Sequence, residues 1–161
     1  GMIWKVTKMT EQTMEYAREV GVIPEVISSM EEAGWENGIE GFMATSDLQR
    51  VAEYIDQYLP EIYYVNSEPG CVDIMASGVS KWRGIKILAE SLNIAHEDIL
   101  TVGNYYNDID MLQHAGVGIA VANSLPEVKD VADFVTEYDN NHDAVAEIIS
   151  KMLHHEYDMT K

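Results

Sequence analysis

The period of the apolar positions changes partway along this chain. Up to about residue 75 they alternate or recur in short amphipathic stretches. From Gly78 onward, short continuous apolar runs trade places with helical patterns. Residues 3–9 alternate apolar and polar side chains, which predicts a half-buried strand. Thr10 is placed to cap a helix over 11–19 that Gly21 ends. A second helix is expected after Pro24, through Val26, Ile27 and Met30, stopping near Gly34. Residues 35–43 are glycine-rich and read as a connection. Ser46 or Asp47 caps the next helix, where Leu48, Val51, Ala52, Ile55 and Leu59 share one face and Pro60 ends the run. Strands at 62–65 and 71–75 flank the turn Ser67-Glu68-Pro69-Gly70.

After Gly78 the order is helix (81–92), strand (99–102), helix (108–114), strand (117–121), helix (125–132), strand (134–136) and a last helix (143–153). Alternation at this spacing predicts an α/β fold with a parallel sheet. A small α+β unit over 2–76 is therefore expected ahead of an α/β unit over 77–161.

Composition narrows the class. Apolar residues make up 47% of the 161, enough for a core. The net charge of −18, from 28 acidic against 10 basic residues, disfavours nucleic acid or an anionic membrane as partner. An anionic substrate must then be met by a local cation. Cys71 is the only cysteine, which excludes an intrachain disulfide and fits a reducing cytoplasm. No apolar run has the length of a membrane span and no signal peptide opens the chain; Gly1 ahead of Met2 reads as a cloning remnant.

The chemistry concentrates where the run 99–102 stops at Gly103. Asn104, Asn107, Asp108 and Asp110 follow within a few residues, as when a parallel strand delivers a charged site to its carboxyl end. Oxygen ligands gathered there suit a divalent cation and phosphate chemistry. Asn107 is also a plausible N-cap with Asp108 in the first helical turn, and Asp110 falls on the solvent side. Lys81 opens a helix behind the N-cap Ser80, with Ile85, Leu88, Ala89 and Leu92 on one face. A lysine there opposes the helix dipole at a cost of roughly 0.3–1 kcal/mol, or joins it in receiving an anion such as phosphate. Ser124 and Glu127 have capping-box spacing around Pro126, and Asn123 stands where strand tips converge. The five histidines lack zinc spacing, no serine sits in a nucleophile elbow, and Tyr54, Tyr58, Tyr63 and Tyr64 read as packing.

Residues 72–153 resemble the haloacid dehalogenase (HAD) superfamily, in particular its Cof-type phosphatases with a large cap. Asp73-Ile74-Met75 through Gly78-Val79-Ser80-Lys81 is similar to the segment that leaves the cap and supplies the family lysine. Gly103-Asn104-Tyr105-Tyr106-Asn107-Asp108 resembles the acidic metal motif Gly-Asp-x-x-Asn-Asp. Residues 115–124 and 132–136 match the next strands in order. The resemblance implies part of a HAD-like, Rossmann-type sheet with a partial cap over 3–75. It further implies magnesium-dependent hydrolysis of a phosphorylated small molecule through an aspartyl-phosphate. Lys81 would be the catalytic lysine, Asp108 and Asn104 the metal positions, and Asn107 a site-ordering amide, with Asn123 near them.

Two departures stand out. No Asp-x-Asp-Gly nucleophile segment occurs, and Asn104 replaces the ligating aspartate, weakening magnesium binding by one charge. The expectation is the carboxyl-terminal part of such a phosphatase, inactive as an isolated chain, or a degenerate binding module. The strand at 99–102 is expected to lack the neighbour that the family places beside it, which invites a homodimer or a complementing chain.

Overall fold

The computed structural model describes residues 3–34, 38 and 40–157. Residues 35–37 and 39 of the expected glycine-rich connection, and the Gly1-Met2 start, lie outside them. The elements are β1 (Lys5–Val6), α1 (Glu11–Val20), β2 (Glu25–Val26), β3 (Phe42–Ala44), α2 (Leu48–Tyr58), β4 (Ile62–Glu68), β5 (Cys71–Ala76) and α3 (Lys81–Leu92). They continue with β6 (Leu100–Gly103), α4 (Ile109–His114), β7 (Val117–Ala120), α5 (Pro126–Val131), β8 (Phe134–Val135) and α6 (Ala144–Leu153). Short 3₁₀ turns lie at Met30–Ala33, His96–Asp98 and Tyr106–Asp108. No helix among the described residues is long and apolar enough to cross a membrane.

Among the described residues three sheets form: β1-β2, parallel; β3-β5-β4, antiparallel; and β6-β7-β8, parallel. β7 is the centre of the last and is buried on both faces, the usual condition of a parallel strand between helix layers. Its alternate side chains serve opposite layers. Val117 and Ile119 pack with Ile148 of α6, while Ala120 packs with Leu112 of α4 and Val128 of α5. Gly118 sits where a Cβ would lie 2.2 Å from the Leu112 carbonyl oxygen, so only glycine lets α4 come so close.

In the antiparallel sheet α2 covers one face. Ile55 is buried there, and the Tyr64 hydroxyl donates to Asp56 at 3.1 Å. The other face, carrying Tyr63, Val65, Asp73 and Met75, is turned toward the parallel sheet, because β4 lies against the Tyr106–Asp108 turn.

Several expectations shift. The strand expected over 3–9 shrinks to Lys5–Val6. The helix expected after Pro24 does not form. Glu25–Val26 pairs in parallel with β1 through Glu25 N–H to Trp4 O (2.8 Å) and Ile27 N–H to Val6 O (2.9 Å), leaving one 3₁₀ turn before Gly34. Within the expected connection, Phe42–Ala44 is a strand on β5. Asp47 does precede α2, but with a left-handed backbone (φ 49°) and no capping hydrogen bond from its side chain. The first helix holds as read: the Thr10 side chain accepts from Thr13 N–H, and Gly21 ends it at φ 70°.

A candidate active site at the tip of β6

β6 hands the chain to the Tyr106–Asp108 turn at Gly103. A Cβ on Gly103 would lie 2.4 Å from the Asp108 Cβ, so the bare backbone makes the room that Asp108 occupies. The strand is tied down twice: Thr101 Oγ1 donates to Met111 O at 3.1 Å, and Ser124 Oγ donates to Gly103 O at 3.2 Å. Asp108 is 3% exposed. Its Oδ2 accepts from the backbone N–H of Asn104 (2.8 Å) and Tyr105 (3.2 Å), and its Oδ1 accepts from Lys81 Nζ at 2.5 Å. A buried carboxylate with three donors is satisfied as an ion, which is the condition for keeping a charge at this depth.

Lys81 reaches the turn from the first position of α3. Ser80 Oγ caps that helix by accepting from Arg83 N–H at 3.1 Å, and Arg83 Nη1 donates back to Gly78 O at 2.8 Å. Trp82 stacks on His114 of α4 (centroids 5.8 Å apart, planes 19° apart), bracing the two helices. The Lys81 side chain remains 48% exposed, so its ammonium faces both the buried carboxylate and open space.

Other residues singled out in the sequence are placed differently. Asn107 is inside the 3₁₀ turn and does not cap it. Tyr105 is the cap, and Asp108 supplies the reciprocal bond. Ser124 and Glu127 do not form a capping box: Ser124 is spent on Gly103, Leu125 precedes Pro126 at the helix start, and Glu127 accepts from the Tyr106 hydroxyl at 3.1 Å. Asn123 is exposed and pairs with Asn140, Nδ2 to Oδ1 at 2.7 Å. Asp110 is part-exposed and meets His114 Nδ1 at 3.1 Å.

Sequence reasoning missed Asp73. Burial, the largest influence, raises its carboxyl pKa, and Glu68 adds to that; the Ser67 hydrogen bond and Lys81 pull the other way. Strand alternation was the available signal: it puts Asp73 on the face opposite Ile74, away from α2.

The residues present do not compose a magnesium site. Among the described residues no group of three His, Cys, Asp or Glu side chains is placed to hold a metal ion. Asp108 is already committed to three donors, and Asn104 brings no charge. The arrangement suits an anion brought to the exposed side of Lys81 better than a cation.

The family model for haloacid dehalogenase-like hydrolases matches residues 5–149. YxeH of Bacillus subtilis, which carries the name of a candidate phosphatase, is 35% identical over 108 residues, covering 66% of this chain and 40% of that protein. The 5-amino-6-(5-phospho-D-ribitylamino)uracil phosphatase YcsE of Bacillus subtilis is 34% identical over 89 residues, covering 55% of this chain and 35% of that one. The solved structure of a HAD subclass IIB sugar phosphatase superposes with a TM-score of 0.74 at 25% identity, covering 91% of this chain and 54% of that chain. The chain thus spans well under two thirds of the length of each of these relatives.

Proposed function

The chain belongs to the haloacid dehalogenase-like hydrolases, of the Cof type, and on that premise we propose that its Lys81–Asp108 pair is the charge-handling part of a phosphate-monoester site. The observation that carries this reading is the 2.5 Å contact between an exposed ammonium and a buried, amide-held carboxylate at a parallel strand's carboxyl end. Asp108 fixes the Lys81 head group, leaving its remaining N–H bonds free to meet a phosphoryl oxygen. A cation fixed in advance where negative charge develops stabilises the transition state without reorganising. In the same reading, residues 2–76 serve as the cap and 77–161 as the core, and the lone buried thiol of Cys71 suits a cytoplasmic chain.

HAD phosphatases generally use magnesium, but the donor set among the described residues does not fit that ion. Nor do these 161 residues hold an Asp-x-Asp-Gly segment: Asp108-Ile109-Asp110-Met111 lacks the glycine, and Asp108 is already engaged. The reading therefore includes that this chain by itself does not turn over. The test is p-nitrophenyl phosphate hydrolysis with magnesium, beside Lys81→Ala. No turnover is expected, and robust turnover that Lys81→Ala abolishes overturns the inactivity.

One observation favours a second reading, a non-catalytic binding module: Asn104 stands where the family carries its ligating aspartate. Magnesium titration by calorimetry tests the module, which predicts no binding; tight binding to this chain excludes it. A partner belongs to either reading. Among the described residues β6 pairs with β7 alone, and an open parallel edge suits a strand from a second copy or a complementing chain. Light scattering after size exclusion tests this, a stable monomer being the outcome against it.

A further inference from the structure

α2 covers its face of the antiparallel sheet only in part. Beside the helix lies a cavity of about 730 Å³, within the range of small-molecule sites. It is lined by Val51, Tyr54 and Ile55 of α2 and by Phe42, Ile62 and Ile74 of the sheet, where Ile74 stands opposite Phe42 in the register. Ile55 is buried, and the Tyr54 ring, tilted against Tyr58 with centroids 4.9 Å apart, offers an aromatic surface. This face is turned away from the Lys81–Asp108 pair, so the phosphate reading makes no use of it.

The rim carries both signs of charge. Asp47 and Arg50 line the cavity, and both are exposed. They stand three positions apart where α2 begins, a spacing at which opposite charges commonly meet. Here they do not. Neither the Asp47 carboxylate nor the Arg50 guanidinium has a hydrogen bond or ion pair with a described residue. Glu40 adds a second acid to the same rim. An apolar cavity is thus bordered by an acid and a base held apart from each other.

We infer that this cavity binds a free α-amino acid with a large apolar side chain. Arg50 takes the carboxylate through its planar fork of donors, Asp47 takes the ammonium, and the side chain displaces water against Phe42, Tyr54, Ile55 and Ile74. The two charged groups of an α-amino acid share one carbon, which suits side chains that start about 5–6 Å apart. Simpler ligands answer half of the rim. A fatty acid would set its carboxylate before Asp47 and Glu40, and an alkylammonium would set its charge before Arg50, each a repulsive contact. A zwitterion meets both signs, and its apolar part fills the space between helix and sheet.

The test is an NMR titration of the whole chain, read at the methyl groups of Ile55 and Ile74, with phenylalanine, 3-phenylpropionate, phenethylamine and glycine. Phenylalanine is expected to bind with a dissociation constant of about 1 mM or below, as its size allows. The analogues lacking the ammonium or the carboxylate should each bind about tenfold more weakly, the scale of a lost hydrogen bond to a charged group. Glycine should move neither methyl. Arg50→Gln should weaken phenylalanine about tenfold while sparing phenethylamine. Asp47→Gly, which suits the left-handed backbone at that position (φ 49°), should weaken it likewise while sparing 3-phenylpropionate. Both side chains are exposed, so the variants should fold, and their spectra report it. Either analogue binding as tightly as phenylalanine, or both variants binding phenylalanine as the wild type does, overturns the inference. So does the absence of any methyl shift at about 10 mM phenylalanine, well above the expected constant. Methyl shifts that appear on concentrating the chain alone, with a dimer seen by light scattering, put a second copy in the cavity and overturn it as well.

Discussion

β7 and β5 are each the middle strand of three, yet they are buried differently. All four residues of β7 are buried, between α4 and α5 on one side and α6 on the other. Of the six residues of β5, only Cys71 and Val72 are buried. The parallel sheet and the helices packed on it therefore hold the largest fully enclosed side chains among the described residues, Ile119 and Val117 of β7, Leu112 of α4 and Val128 of α5. The Lys81–Asp108 pair is anchored on that side, to the tip of β6 and the start of α3. The antiparallel sheet leans over the site with a part-exposed polar face. The proposed charge-handling pair is thus set in the dense region, beside a sheet that is more open to solvent.

The sharpest way to break this comparison is to make the same kind of cavity on each side. Leu112→Ala, at 0% exposure beneath β7, is expected to cost about 4–5 kcal/mol, the upper part of the range for such truncations. Ile55→Ala, at 4% exposure under the antiparallel sheet, should cost about 2 kcal/mol because its surroundings can collapse. Urea denaturation measures both, and equal losses would remove the contrast.

Cys71 sharpens it from the other direction. Burial foremost, then the Glu68 carboxylate that accepts its hydrogen bond, push the thiol up to about 12. A free thiol near 8.5 would be partly ionised at pH 8; this one is not. Alkylation of the folded chain by iodoacetamide should run roughly a thousandfold slower than in the unfolded chain. Following that rate in rising urea, beside the fluorescence of a variant that keeps Trp82 of α3 while Trp4 and Trp35 are replaced by Phe, should show the antiparallel sheet opening first; coincident transitions would contradict it. The sign for stability follows. The folded state binds this proton more tightly, so the contribution is whole below about pH 8.5 and is lost as pH climbs toward 12.

Smaller effects are expected at single polar ties in the dense region. Thr101→Val removes the hydroxyl that satisfies Met111 O and should cost about 1 kcal/mol in urea midpoint analysis. Glu147 takes hydrogen bonds from Lys151 Nζ (2.7 Å) and from the amides of Glu137 (2.9 Å) and Tyr138 (3.0 Å). Burial alone would raise its carboxyl, but Lys151 and those amides together outweigh it and hold the pKa below the usual carboxylate range. A lowered pKa gives stability that is present above the ordinary value near 4.3 and disappears as pH falls through the folded one. Glu147→Gln should therefore cost about 1 kcal/mol at pH 7, and thermal melts should show that difference closing toward pH 3.

The two regions also differ in how much of them the sequence discloses. α3 runs over residues 81–92 as its pattern predicts, because Ser80 caps it and Asn93 ends it in a left-handed turn, both local signals. The strands of the parallel sheet fall within a residue or two of their apolar runs, and β7, buried on both faces, leaves no other pattern. In the first half, the stretch after Pro24 has helical spacing but is claimed by β1, a partner about twenty positions away that no local period reveals. β3 is only three residues long in glycine-rich surroundings and exists because β5 pairs with it. At the site, Lys81 and Asp108 were legible as types in a pattern. Their contact, the capping role of Tyr105 and the orientation of Asp73 depend on which surfaces meet, and spacing does not encode that.

One hydrogen atom at position 103 sets a boundary on how this site can change. The hollow it leaves has the size of a single carboxylate, and that carboxylate is what fastens the ammonium. Adding one methyl there would evict Asp108, and Lys81 would then swing free. Glycine, acid and base therefore form one mechanical linkage, in which none of the three can be exchanged without releasing the other two.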